Sequence, residues 1–210
     1  MANKVATTAK SGQAASAKTP RTSRGEKTRA RILDAARQEF GARGFGESSI
    51  VGITQRAKVA LGTFYTYFDS KEEVFAALVK DMSGQVRDHV APALADAKGT
   101  IDAERRALSA FLAFARDKKE VYRIIDEAEF VDPAGFERHY RDTAKRIRER
   151  LSDGDGLQPA ADDLDAEIRA WAVMGMYVFL GLRFSVWGKE DPQRVAGIVR
   201  RLLGEGLAKR

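Results

Sequence analysis

The sequence contains no cysteine, which excludes disulfides, zinc fingers and thiol nucleophiles. Histidine occurs only at positions 89 and 139, on different helical segments, so a histidine metal site is not expected. No long hydrophobic run is present. The longest uncharged apolar stretch, Ala170 to Leu182, has 13 residues, too few to span a bilayer. The N-terminus lacks the apolar segment of a secretory signal. No Ser/His/acid or paired-carboxylate pattern stands out, so no enzyme is expected. Gly41, Gly44 and Gly46 have no strand before them and no Gly-Lys-Ser/Thr after them, and read as turn glycines rather than a phosphate loop. The run Asp153-Gly154-Asp155-Gly156 hints at a calcium loop, but Leu157 and Leu164 occupy later ligand positions, and a solvated turn fits better. Neither cofactor nor metal is called for.

What is present is charge, unevenly placed. The net charge is +6. Residues 1–71 carry 13 Lys/Arg against 5 Asp/Glu, whereas residues 72–210 carry 23 against 25. A basic first third joined to a neutral body points to a polyanion partner at one end. The plainer reading is a solubilising tail. Residues 1–22 are rich in Ala, Lys, Thr and Ser, contain no acid and are expected to be disordered.

From Ser23 onward the pattern is helical. Ser23 and Glu26 have capping-box spacing, Ile32, Leu33, Ala36 and Phe40 follow at helical period, and Gly44 ends the segment. Ser48 or Ser49 can cap a short second helix bearing Ile50, Ile53 and Ala57. A third short helix runs from Leu61 to Phe68. Ser70 and Glu73 open a long fourth helix striped with Val74, Phe75, Leu78, Val79 and Met82. Four further segments repeat the period, and Asp132-Pro133 and Asp191-Pro192 mark helix starts. The eighth helix, Asp163 to about Trp187, is apolar on all faces. No segment has a period of two. The expected fold is all-α, with about nine helices: a three-helix head at residues 23–70 and a helical body at 71–210.

Two short helices joined by a tight turn and braced by a third form a helix-turn-helix, whose last helix enters the major groove of DNA. Phe64 and Phe68 anchor that helix inward. Gly62 then permits close backbone approach, Thr63 reaches a phosphate or base edge, and Tyr65 and Tyr67 offer phenol donors. Lys71, at the start of the fourth helix, suits a phosphate.

The stretch Thr28–Leu78 resembles the DNA-binding region of the TetR (tetracycline-repressor-like) family. The resemblance rests on RILDAARQEFGARGF and SSIVGITQRAKVALGTFYTYFDSKEEVF, above all on Gly-Thr-Phe-Tyr-x-Tyr-Phe followed by Ser-Lys-Glu. It implies DNA contacts from Thr63, Tyr65, Tyr67 and Lys71, with base preference set at Leu61 and Thr66. Ser49 and Ala60, at the starts of the second and third helices, complete the candidate DNA-binding set. Two positions depart from the family pattern: Lys58 stands where glycine is common, and Ala60 where serine is.

The resemblance also implies a cytoplasmic homodimer on an inverted-repeat operator, joined through its last two helices and away from any membrane. Met174, Val178, Gly181, Val195, Ile198 and Leu202 are the candidate interface. An apolar or amphipathic effector of acyl type is expected in the body. Its candidate lining is Phe111, Tyr122, Phe130, Phe136, Tyr140, Trp171 and Tyr177, with Arg123 or His139 as polar anchor. A ligand-free architectural DNA binder, and a helical enzyme or carrier with an incidental basic head, are the competing readings.

Overall fold

The computed structural model describes residues 18, 20, 22–152 and 157–207. Most of the basic tail, the 153–156 loop and residues 208–210 lie outside the described residues, and so do the expectations about tail and loop. The described residues form nine α-helices and no strand. They are α1 (Ser23–Glu47), α2 (Ile50–Ala57), α3 (Leu61–Tyr67), α4 (Lys71–Leu94), α5 (Thr100–Asp117), α6 (Glu120–Val131), α7 (Pro133–Ser152), α8 (Asp163–Gly181) and α9 (Pro192–Glu205). A π-helical turn, Leu182–Val186, extends α8. Among the described residues no helix is long and apolar enough to cross a membrane.

The boundaries follow from local chemistry. Thr22, one residue before the expected cap, starts α1 by accepting the Gly25 N–H. Gly44 breaks it at φ 79°, ψ 168°, a conformation open to glycine alone. Of the two serines that follow, Ser49 caps α2 through the Gly52 N–H. Ser48 turns back onto the carbonyls of Glu39 and Gly44. Ser70 accepts from Glu73 N–H, and the Glu73 carboxylate accepts from Asp69 N–H, so this box closes on the residue before the cap. Asp132 and Asp191 cap α7 and α9 as their Asp-Pro pairs predict.

Lys58 ends α2 in the left-handed region, φ 53°, ψ 49°. Its N–H bonds to Gln55 O and the Val59 N–H to Thr54 O, the two bonds of a Schellman turn. A side chain there costs about 1 kcal/mol relative to glycine. Lys58→Gly is therefore expected to raise unfolding stability by ~0.5–1 kcal/mol, part of the gain being offset by unfolded-state entropy. Urea denaturation at fixed protein concentration measures it, and a loss of stability would contradict the strain.

Two apolar cores meet along α4 and α7. The first joins the helix-turn-helix to α4 and α6 through Phe40, Phe64, Phe68, Phe75, Leu78 and Ile124. Phe75 meets Phe40 and Phe45 edge-on, with ring centres 5.1 and 5.2 Å away. The second core joins α5, α7, α8 and α9 through Leu108, Leu112, Ile147, Val173 and Val199.

Candidate DNA-binding face and ligand cavity

On α3, Phe64 and Phe68 are fully buried, and this fixes what the helix turns outward. Leu61, Gly62, Tyr65 and Thr66 are exposed, and Thr63 and Tyr67 are half-buried. The Thr66 hydroxyl bonds back to Gly62 O at 3.2 Å. Tyr67 packs against the head core. Ala60 leads into α3 with no side-chain cap, while Ser49 is exposed at the start of α2. Glu39, nearly inaccessible on α1, receives Arg56 of α2 at 2.6 Å and so sets the angle between these helices.

Lys71 is placed differently from a free surface cation. Its ammonium donates to Phe45 O at 2.8 Å and Ser48 O at 3.0 Å and lies 4.3 Å from the centre of the Phe45 ring. It thereby ties the start of α4 to the turn between α1 and α2. Lys18, from the described edge of the tail, reaches Asp69 at 2.6 Å beside the end of α3.

The body encloses a cavity of about 360 Å³ between α4, α5, α6, α7 and α8. Five expected residues line it: Phe111, Tyr122, His139, Tyr140 and Tyr177. The Tyr122 hydroxyl donates to Val178 O, and its burial raises its pKa. The other four candidates lie elsewhere. Phe130 is 83% exposed at the end of α6, and Trp171 faces outward on α8. Phe136 packs edge-on against Tyr140 beside the head core. Arg123 points to the carbonyls of Gly41 and Ala42 on α1.

The wall also holds residues beyond the expected set. Met82, Val86, Val90 and Leu94 come from α4, and Arg87, Arg146 and Arg150 supply the cations in place of Arg123. The signal was available on α7. His139, Thr143, Arg146 and Arg150 share one helical face at i, i+4, i+7 and i+11, so arginines interrupt an inward stripe.

His139 Nδ1 lies 2.7 Å from the Ser83 hydroxyl of α4. Burial and then the charge of Arg146 depress its pKa from 6.5 to about 4, against an opposing pull from Asp142. The unfolded chain takes up this proton near 6.5, and the folded chain does not until about 4. The contribution to stability is therefore complete above pH 6.5. It is lost as pH falls through that window, by on the order of 3 kcal/mol in all. His139→Asn is expected to flatten this part of the stability–pH curve. An unchanged slope between pH 6.5 and 4 would refute the assignment.

Head and body meet at α6. Its Glu127 accepts the Phe45 N–H at 2.7 Å, Glu120 pairs with Arg37, and Arg123 holds the α1 carbonyls just before the Gly44 break. The other face of α6, with Val121, Tyr122 and Ile125, lines the cavity.

Of the expected interface residues, Met174, Gly181 and Val195 are buried within the subunit. Gly181 faces inward, where an added Cβ would collide with the Tyr122 hydroxyl. Its close approach is to its own chain. Val178 lines the cavity, Leu202 is half-buried, and Ile198 is exposed. The outward apolar face of α8 is instead Leu164, Ile168, Trp171 and Phe179. Gly175 and Gly197 have open space around them.

Residues 32–78 match the family of bacterial regulatory proteins known as the tetR family. The HTH-type transcriptional regulator YdgC of Bacillus subtilis is 31% identical over 192 residues, which cover 88% of this chain and 95% of YdgC. A TetR-like transcriptional regulator from Rhodococcus sp. RHA1 superimposes with a TM-score of 0.68 at 25% identity, covering 87% of this chain and 97% of its own. The fold is also that of FadR from Bacillus subtilis, solved in complex with stearoyl-CoA, with a TM-score of 0.72 at 18% identity and coverage of 85% and 99%. Helix-turn-helix, body and relatives agree, and the chain belongs to the TetR family of transcriptional regulators.

Proposed function

We propose that the protein is a cytoplasmic, homodimeric repressor that binds an inverted-repeat operator and leaves it when an apolar or amphipathic effector enters the body cavity. The observation that carries this reading is the placement of α6, with the cavity on one face and the end of α1 on the other. α4 is a second link, since Lys71 holds the head turn while Met82 and Val86 line the cavity. A ligand that shifts either helix changes the spacing of two recognition helices, which must match turns of one duplex. The stearoyl-CoA complex of the FadR neighbour supports an acyl-type effector. A cavity of this volume distinguishes this reading from a ligand-free architectural binder.

The DNA face comprises Ser49, Ala60, Leu61, Gly62, Thr63, Tyr65, Thr66 and Tyr67, with Lys71 steadying the turn behind them. The dimer forms through the outward face of α8 and α9. The expected footprint has dyad symmetry, with half-sites one helical turn, ~34–36 Å, apart or a small multiple of it. Binding weakens steeply with salt as phosphate contacts release counterions. Footprinting on the DNA upstream of the chain's own gene tests this. A footprint without a dyad, or the absence of specific retention at moderate salt, overturns it.

A further inference from the structure

Three arginines stand at one end of the cavity, and only two are neutralised. Arg87 pairs with Asp88, and Arg150 with Glu104. Among the described residues Arg146 has no carboxylate within ion-pair distance. Its guanidinium donates to the Thr143 hydroxyl at 3.0 Å, leaving most of its five donors unused on the cavity wall. Burial lowers its pKa, the nearby Asp142 and Glu149 carboxylates pull it back up, and Arg87 and Arg150 push it down, with a net fall. An unpaired, half-buried cation beside two like charges is the group a bound anion would relieve.

The opposite end of the cavity differs in kind. Met82 and Val86 of α4 and Val121, Tyr122 and Ile125 of α6 form a mainly apolar wall nearest the head, with Asp126 of α6 as its one carboxyl group. Along α7, Arg146 lies seven residues beyond His139, roughly 10 Å further from the α6–α7 corner. The cavity is therefore polarised, with three arginines against Glu149 at the far end and, where it meets α6, apolar side chains with Asp126, which would turn a bound anion toward the arginines.

We propose that the effector is an anionic amphiphile bound in one direction, its acid group on Arg146 and its apolar tail against α6. This rests on the effector reading above and narrows its chemistry. At about 30 Å³ per water-sized group, the cavity of about 360 Å³ takes a tail of on the order of a dozen heavy atoms. A medium-length chain fills it. A short acid reaches Arg146 and leaves the α6 wall untouched. Head and tail thus have separate tasks: the anion contributes affinity, and the tail acts on the helix that holds α1.

The test is calorimetric titration of the full chain with decanoate, 1-decanol, butanoate and decanoyl-CoA, repeated with Arg146→Gln. Each ligand is also added to the preformed operator complex. Decanoate is expected to bind roughly 10- to 100-fold more tightly than 1-decanol. Arg146→Gln removes that preference and leaves 1-decanol binding unchanged, which a general loss of folding would not do. Butanoate is expected to leave operator affinity unaltered. The decanoate and decanoyl-CoA arms separate a free carboxylate from the phosphates of an acyl-CoA as the source of the anion. Equal binding of decanoate and 1-decanol, unchanged decanoate binding by Arg146→Gln, or no binding by any of the four overturns the proposal. Because operator binding is measured in the same preparation, its loss in the absence of ligand marks failure of the regulator reading instead.

Discussion

Replacing Glu104 with alanine is expected to cost about 3–5 kcal/mol of folding stability, the range for breaking a buried ion pair from one side. The Glu104 side chain is wholly inaccessible on α5. Arg150 of α7 meets it with two donors, at 2.6 and 3.2 Å. The Tyr177 hydroxyl of α8 lies 2.6 Å from the same carboxylate. One carboxylate thus joins three helices at the back of the cavity. Burial opposes the charge of Arg150, and Glu104 more than restores it, so the arginine pKa ends above its ordinary value. Burial and then Glu104 push the Tyr177 phenol well up.

Alanine at position 104 leaves Arg150 without its counter-charge and removes an acceptor from Tyr177. Glu104→Gln keeps the shape and an acceptor, and should cost less. Tyr177→Phe removes one hydrogen bond to a charged group, about 1.5–3 kcal/mol. For a chain of this size, the alanine variant should lower Tm by roughly 10 °C or more. Calorimetry at one protein concentration checks this, since the proposed dimerisation would be linked to stability. A fall in Tm no larger for Glu104→Ala than for Glu104→Gln would contradict a charge-centred network.

The helices were legible in the sequence because their causes are local. Thr22, Ser49, Ser70, Asp132 and Asp191 each bond an amide two or three residues ahead, within reach of any window. The DNA face was legible for the same reason: once Phe64 and Phe68 point inward, the helical period fixes what points out. The cavity was not, because a void is a property of several helices at once. Phe130 and Trp171 have the composition of pocket walls and stand in solvent. Phe111 and Tyr177, no different in kind, line the cavity with ring centres 6.0 Å apart. Lys71 illustrates a third limit, since a lysine at a helix start signals a phosphate contact, and only the fold reveals three carbonyls within its reach.

Phe179→Asp is expected to convert the proposed dimer to a monomer and to lower operator affinity by two orders of magnitude or more, ~10²–10⁴ in the usual range for linked sites. From Ala170 onward the eighth helix is apolar all round, a pattern that requires burial on every side without saying by what. Within one subunit, Ala170, Val173, Met174 and Tyr177 account for one face. Phe179 remains 70% exposed, with Ile168 and Trp171 on the same outward side of α8, and Ile198 is exposed on α9. An exposed apolar helix face of this kind marks an association surface. Because Phe179 touches little of its own chain, a change there should alter subunit stability by no more than about 0.5 kcal/mol. In the proposed dimer, an aspartate would be buried without a counter-charge in the apolar contact, once from each subunit, since a two-fold interface uses the same patch twice. The loss on DNA follows from geometry rather than chemistry. Each recognition helix stays intact, so affinity for an isolated half-site should be unchanged, while the second half-site is no longer supplied at high effective concentration. Sedimentation velocity measures the assembly, and fluorescence anisotropy on full-operator and half-site duplexes measures the two affinities. A variant that sediments as the wild-type dimer, or that loses half-site binding in parallel with the full operator, would place the interface elsewhere on the body.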